Sequence, residues 1–214
     1  MLNKIRILFG KKNNTNVSVY EKIDNLFNSL NEEVIVLEIG EDLIEYENSI
    51  SEIISSLRAQ IKEECGFIMP TVSIKQNYVI QENQFNIFIQ EKLVEQRFVI
   101  PTEDNIQEEL YDSLKTNVYD NLDSVFTNEI TEKYINTVKK NNGMLVWNIT
   151  NILSIIDIKT ILSEIIMKGK SINNINYIFE KMGEYILADG ISQTNCKKYN
   201  PHIISQAISK YLYK

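Results

Sequence analysis

The spacing of hydrophobic residues changes near Pro101, which divides the sequence into two parts. Before this residue, several short apolar runs have the alternation or continuity of strands. After Asn105, the apolar residues recur only at helical spacing. We therefore predict an α+β chain, with a small α/β domain of the ferredoxin-like or βαββ type over residues 1–101 and an all-helical domain over residues 104–214.

The first part alternates strands with helices. Strands are predicted at Ile5–Phe9 and Val34–Ile39, and a first helix is predicted between Val19 and Leu30. Phe85–Ile89 and Leu93–Ile100 are separated by a short polar turn, which is typical of a hairpin. These elements predict a sheet with helices packed against it.

A second helix is predicted to end at Gly66, in the stretch around which the chain is organised. Apolar residues recur at helical spacing before this glycine, and glycine readily takes the left-handed conformation that ends many helices. Pro70 excludes helix and favours extended backbone before it. Val72 and Ile74 then alternate with polar residues, as in a strand. Phe67, between the helix and the strand, is predicted to have a structural role.

The second part contains a series of amphipathic helices. The predicted helices span residues 106–122, 128–141, 144–153, 158–167, 171–187 and 201–214. Thr127 is predicted to cap the second of these helices, Asp157 the fourth, and Asn200-Pro201 the last.

Composition and charge restrict the class of protein. The 214 residues are 43% hydrophobic and 24% charged, which suits a globular chain with a sizeable core. The net charge of −7 disfavours a nucleic-acid partner, because phosphate-binding surfaces are basic. No run approaches the roughly 18 apolar residues of a membrane span, and two cysteines favour a reducing compartment. We expect a soluble cytoplasmic protein.

No catalytic or metal-binding pattern is found among the residue types that carry such chemistry. His202 is the only histidine, and no cysteine or carboxylate is spaced around it as a ligand. The carboxylate pairs Glu63-Glu64 and Glu108-Glu109 are successive helical residues, so their side chains point to different sides and do not form an acid/base pair. Cys65 is predicted to be a small buried hydrophobic residue. We therefore predict no enzymatic activity, no cofactor and no metal site.

The stretch around Gly66 also resembles a family signature. The matching residues are Arg58, Gly66, Phe67, Ile68, Met69, Pro70, Val72, Ile74, Lys75 and Asn77. This pattern is similar to that of the FHIPEP family, the FlhA-like export gates of flagella and type III secretion. Other family phrases resemble Leu37–Gly40, Glu82–Ile89 and Ile158–Ile186, in the same order along the chain. The resemblance covers roughly Val34 to Leu187.

The sequence also departs from the family pattern. The family has an N-terminal membrane half, and it inserts a subdomain between the strand pair and the helical part, beside which chaperone–cargo complexes dock. Here only Val99–Glu109 stands at the position of that insertion, and Lys75-Gln76 replaces the Arg-Asp of the strand motif. The resemblance is therefore to the cytosolic part only, in a truncated form.

The resemblance implies a role in protein export. It implies a non-enzymatic component or accessory of flagellar or type III export that binds other export proteins or chaperone–substrate complexes. A second interpretation is a free-standing regulatory or adaptor protein that keeps the scaffold and pairs with a full-length export gate. Both interpretations imply a cytoplasmic location, peripheral to a membrane export complex. Both are also compatible with a homo-oligomer.

Three aromatic residues of the hairpin region are the candidate protein-binding residues: Tyr78, Phe88 and Phe98. Phe88 alternates with Phe85 and Ile87, so these residues lie on opposite faces of the sheet and one set faces away from the helices. The second face is either covered by the N-terminal strand and helix, or open as a protein-binding patch.

Overall fold

The computed structural model describes residues 33–188 and 199–212. The strand predicted at Ile5–Phe9 and the helix predicted at Val19–Leu30 lie outside the described residues. So does the interpretation that this N-terminal unit covers the second face of the sheet.

Four strands form one mixed sheet in the order β2-β1-β3-β4. The elements of this part are β1 (Ile35–Ile39), a 3₁₀ helix (Glu41–Tyr46), α1 (Glu47–Cys65), β2 (Val72–Gln76), β3 (Gln84–Ile89) and β4 (Lys92–Phe98). β1 pairs in parallel with β2 through the crossover helix α1, while β3 pairs antiparallel with β1 and with β4. The strand predicted at Val34–Ile39, the helix predicted to end at Gly66 and the hairpin are confirmed, but the second hairpin strand ends at Phe98 instead of Ile100.

Alternation along the strands gives the sheet a buried face. Ile35, Leu37 and Ile39 of β1 are fully buried, and their partners on β3 are Ile89, Ile87 and Phe85. The buried stripe of α1 includes Ile50, Ile54, Leu57 and Ile61. These two apolar surfaces are the core of the sheet part, because burying both removes the most apolar area from water.

Helices follow the sheet to the end of the described chain. They are α2 (Glu103–Asp120), α3 (Leu122–Val125), α4 (Asn128–Asn141), α5 (Gly143–Thr150), α6 (Ile155–Met167), α7 (Ile175–Ala188) and α8 (Pro201–Ser209). α2 packs against α1, α5 packs against α7, and α6 packs against α8. The predicted α+β class, a sheet part followed by a helical part, is confirmed.

The predicted caps are partly confirmed. The Thr127 hydroxyl accepts from the amide of Ile130, and the Asn200 side chain accepts from the amide that follows Pro201. The prediction that Asp157 is an N-cap is wrong. Ser154 is the N-cap of α6, and Asp157 is the third helical residue, whose carboxylate accepts from the Ser154 amide in a capping box.

Several helix ends differ from the prediction. α2 runs from Glu103 to Asp120, α5 ends at Thr150 instead of residue 153, and α7 begins at Ile175 instead of residue 171. The stripe predicted to continue to residue 122 breaks at Asn121, whose side-chain amide donates to the carbonyl of Asn117 and whose φ of −113° is not helical. The last helix ends at Ser209 instead of reaching residue 214. Its last turn closes with a hydrogen bond from the Lys210 amide to the Ala207 carbonyl.

Phe67, in the signature stretch, packs against the helical part. Gly66 ends α1 with a φ of +77°, and Phe67 after it is fully buried. The Phe67 ring stacks on Phe126 with centroids 5.2 Å apart, and Phe126 stacks on Tyr134 at 5.8 Å. Phe126 lies between α3 and α4, so this aromatic stack joins the two parts of the chain.

Tyr134 adds hydrogen bonds at the same place. Its hydroxyl donates to the Gly66 carbonyl at 2.6 Å and accepts from the Ile68 amide at 2.9 Å. Burial raises the pKa of Tyr134 to about 12, so the hydroxyl keeps its proton and remains a donor at neutral pH. One side chain of α4 thus satisfies the backbone on both sides of Phe67.

Residues of the family-like stretch Ile158–Ile186 meet the signature stretch at this position. The Ile172 amide donates to the Cys65 carbonyl at 2.8 Å, and the Asn173 side-chain amide donates to the Glu63 carbonyl at 3.1 Å. We call these contacts, together with the aromatic stack, the junction. Two stretches more than 100 residues apart in the sequence therefore form one contact region of the fold.

The change from strands to helices occurs where the sequence predicts it. β4 ends at Phe98 and α2 begins at Glu103, so four residues connect the sheet part to the helical part. Val99 in this connection is buried, and the Tyr46 hydroxyl donates to the Pro101 carbonyl. We propose that residues 1–101 and 104–214 are the two domains, whose described parts meet at the junction and where α2 packs against α1.

Candidate protein-binding surface

The outer face of the sheet, opposite α1, carries two of the candidate aromatic residues. Phe88 is half-buried and pairs with Val36 on one side and Leu93 on the other. Phe98 pairs with Gln84, two pairs further along the same face. At about 3.4 Å per residue, Phe88 and Phe98 are separated by roughly 13 Å along β3.

Polar side chains separate these two aromatic residues. Gln84 donates to the side-chain oxygen of Asn86 at 2.6 Å, and both residues are buried. Glu38 accepts from Asn86 and also from Asn77, at 3.4 and 2.9 Å. A hydrogen-bonded polar row thus crosses the outer face, which carries no continuous apolar patch between Phe88 and Phe98.

Tyr78 lies in the loop between β2 and β3, at the end of the sheet where β4 also ends. Its hydroxyl donates to the Gln76 side chain, and the side chain is 69% exposed. The structure therefore places Tyr78 and Phe98 at the same end of the sheet, next to the opposite edge strands β2 and β4, and Phe88 at the other end. Phe88 is separate from the other two candidates.

Other exposed apolar side chains accompany Tyr78 and Phe98 at that end. Val79 is 94% exposed and Ile100 is 67% exposed, and the Val99 amide donates to the Asn83 carbonyl, which holds the end of β4 beside the loop. The loop-end surface is defined by these four apolar side chains: Tyr78, Val79, Phe98 and Ile100. Sequence reasoning did not identify Val79 and Ile100 as surface residues, because Val79 belongs to no periodic pattern and Ile100 is predicted to lie in the second hairpin strand.

Gly40 explains why this loop lies close to the end of β1. A Cβ at residue 40 would stand 2.2 Å from the Gln81 carbonyl oxygen and 2.5 Å from that of Glu82. The missing side chain lets the Gly40 amide donate to Gln84 and the Asp42 amide donate to Glu82. The glycine of the family phrase Leu37–Gly40 is therefore needed for this close backbone approach.

A cleft opens between the loop and the 3₁₀ helix. It encloses about 500 Å³ and has carboxylates at Glu41, Asp42 and Glu82, with Tyr78 and Val79 beside them. Such a combination suits a protein segment that carries an apolar side chain next to a basic one.

His202 lies on a different part of the fold and is not arranged for catalysis. Its Nδ1 contacts Glu164, and the hydroxyl of Ser205 donates to Glu164 as well. Burial raises the pKa of Glu164, but hydrogen bonds from Ser205, His202 and Lys168 outweigh it and hold the pKa below its ordinary value. The serine hydroxyl therefore points to the carboxylate, and His202 is not placed as its base.

Neither a metal cluster nor a membrane span is found in the described part of the chain. Within residues 33–188 and 199–212, no three His, Cys, Asp or Glu side chains are grouped as metal ligands. No helix in these ranges is long and apolar enough to cross a bilayer.

Comparison with known proteins gives one family and several similar structures. The FHIPEP family model matches residues 10–109. No curated protein sequence matches the chain. Among solved structures, the Chlamydia pneumoniae CdsV protein has 12% identity and a TM-score of 0.67 over 83% of this chain and 64% of its own.

Two further structures have the same fold. The complex of Chlamydia pneumoniae CdsV and CdsO gives 13% identity and a TM-score of 0.65, covering 83% of this chain and 64% of that chain. The nonameric EscV cytosolic domain of a type III secretion system gives 13% identity and a TM-score of 0.63, covering 83% and 63%. The chain thus spans less than two thirds of the length of these domains. Residues 10–109 match the FHIPEP family model, and the fold of the chain is similar to that of the cytosolic domains of type III secretion export gates.

Proposed function

We propose that this chain is a non-enzymatic, protein-binding component of flagellar or type III protein export. It binds other export proteins or chaperone–substrate complexes on the cytosolic side of the export gate. The observation that carries this proposal is the FHIPEP match over residues 10–109, together with a fold that is similar to export-gate cytosolic domains.

The loop-end surface is the binding site that we propose for these partners. Its four apolar side chains are exposed on backbone that is held by Gly40 and by the Val99–Asn83 hydrogen bond. Exposed aromatic and aliphatic side chains on a rigid backbone lose little conformational entropy on binding. The cleft beside them adds carboxylates that favour a basic partner segment.

Assembly with other proteins is part of the same proposal. One similar structure is a complex of CdsV with CdsO, and another is a nonamer of the EscV cytosolic domain. By analogy we propose protein partners for this chain, and a homo-oligomer as its assembled form.

The test is a binding measurement with purified proteins. The chain is titrated by calorimetry with the export-gate cytosolic domain and with chaperone–substrate complexes from the same cell. We expect saturable binding to at least one of them, and we expect Tyr78→Ser with Phe98→Ser to weaken it by about tenfold or more, since exposed aromatic anchors dominate such interfaces.

Leu93→Ser is the matched control, because Leu93 is also exposed and lies beside Phe88 at the other end of the outer face. It should leave the affinity unchanged, and all variants should keep the unfolding temperature of the parent. If the chain binds only the export-gate domain, the adaptor interpretation is favoured. If it binds none of these proteins, the proposed function is wrong.

A further inference from the structure

An apolar groove lies between α5 and α7 in the helical part, away from the sheet. It encloses about 500 Å³, and its apolar lining consists of Leu145, Trp147, Ile149, Ile152, Ile186 and Leu187. Ile149 and Ile186 are buried at its floor, whereas Trp147 is 62% exposed and Leu187 is 73% exposed at its edges. Large apolar side chains are thus left in water on both sides of one depression.

The groove is built into the packing of the two helices. Gly183 in α7 faces Leu145, and a Cβ at this position would stand 2.7 Å from the Leu145 Cδ1 atom. A glycine inside a helix costs roughly 1 kcal/mol relative to alanine, and here its absent side chain leaves room for the Leu145 side chain. The wall of the groove therefore includes a close contact between Gly183 and the end of the Leu145 side chain.

The charges at the groove have one sign. Among the described residues, the charged side chains that line it are Glu180 and Glu184. Lys181 pairs with Glu184 at 2.6 Å and stands over the rings of Tyr177 and Tyr211, outside the lining. Glu180 is exposed and adds negative charge at the rim.

We propose that the groove between α5 and α7 binds an amphipathic helix of a partner protein, with basic residues beside its apolar stripe. A helix that lies in a groove inserts side chains at i, i+3 or i+4, and i+7, so it can cover both edges. A small molecule in the depression would leave Trp147 and Leu187 exposed. The acidic rim favours lysine or arginine next to the stripe, because opposite charges steer and orient the partner.

This site is distinct from the loop-end surface, and it does not depend on the function proposed for that surface. Its test needs no export protein. Trp147 is the only tryptophan of the chain, so its fluorescence reports directly on occupancy of the groove.

The probe is a designed helical peptide of about 15 residues without tryptophan, with leucines on one stripe and lysines beside it. A matched peptide has glutamate in place of each lysine. We expect the lysine peptide to shift Trp147 emission to shorter wavelength in a saturable way, and to bind about tenfold or more tightly than the glutamate peptide.

Variants at exposed positions separate the apolar from the electrostatic contribution. Glu180→Lys should reduce the preference for the lysine peptide, and Leu187→Ser should weaken both peptides. Ile156→Ser is the control, since Ile156 is exposed but does not line the groove. It should change neither affinity.

Three results would overturn the proposal. The first is no saturable shift with the lysine peptide, and the second is equal affinity for both peptides. The third is a blue shift that grows with protein concentration without peptide and coincides with a dimer in size-exclusion chromatography. In that case the groove is a contact between copies of this chain.

Discussion

Phe67→Ala is expected to lower the free energy of unfolding by about 3–5 kcal/mol, the range found when a buried phenylalanine is truncated. Phe67 is fully buried and stacks on Phe126, so alanine would leave a cavity between the sheet part and the helical part. The measurement is chemical denaturation followed by circular dichroism, with the parent protein alongside.

Ile68→Ala is the matched control for this substitution. Ile68 is the next residue, but its side chain is 44% exposed and makes no part of the aromatic stack. It should cost less than about 1 kcal/mol, because partly exposed side chains lose little burial on truncation. Equal unfolding midpoints for the parent and Phe67→Ala would show that Phe67 is not a core residue.

Gly66→Ala is the second large effect that we expect, at about 2–5 kcal/mol. A left-handed conformation costs a non-glycine residue about 1–2 kcal/mol, and a forced contact in a packed region adds about 1–3 kcal/mol. Gly66 has a φ of +77°, and a Cβ there would stand 2.5 Å from the backbone nitrogen of Asn173. The backbone of Asn173 would therefore have to move.

Gly169→Ala separates these two contributions. Gly169 has a φ of +69°, but a Cβ there would meet nothing within 4 Å. Its substitution should therefore cost only the conformational part, about 1–2 kcal/mol. If both substitutions cost the same in denaturant titrations, the close contact of Gly66 with Asn173 is not part of the stable fold.

Periodicity predicts the elements of this fold well, but not their contacts. The alternation in β1 and β3 and the stripe of α1 are determined by local burial, so the sequence predicts them directly. The partner of Phe67 is different. Nothing in the spacing of residues 56–74 indicates that its ring meets Phe126, because tertiary contacts between distant segments leave no local pattern.

The helix caps also show what the sequence alone does not predict. Asp157 is a good N-cap residue by type, yet Ser154 three residues earlier takes that role and Asp157 completes the capping box. Because both residue types favour helix starts, the sequence predicts that a helix begins here but does not identify its first residue.

The candidate surface was predicted in part. Alternation places Phe88 on the face opposite Phe85, and this is what the structure has. That Tyr78 and Phe98 lie at one end and Phe88 at the other depends on strand order and register, which alternation does not contain. Whether these residues bind a partner stays a prediction.

The groove between α5 and α7 was also not predicted. Trp147 is noticeable in the sequence as the only tryptophan, but on an apolar helix such as Gly143–Thr150 it is not distinguished from a core residue. Its exposure depends on how α5 packs against the other helices, which the local sequence pattern does not contain.

The central claim of this account is that the FHIPEP signature stretch joins the sheet part to the helical part through the junction. The most direct test is a double-mutant cycle with Phe67→Leu and Phe126→Leu, since leucine keeps the site apolar and removes the ring. Each single substitution should cost about 1 kcal/mol. We predict that the double variant loses about 0.5–1.5 kcal/mol less than the sum, the coupling expected of a stacked aromatic pair. Strictly additive losses would contradict the claim, because they would mean that the two rings do not interact in the folded protein.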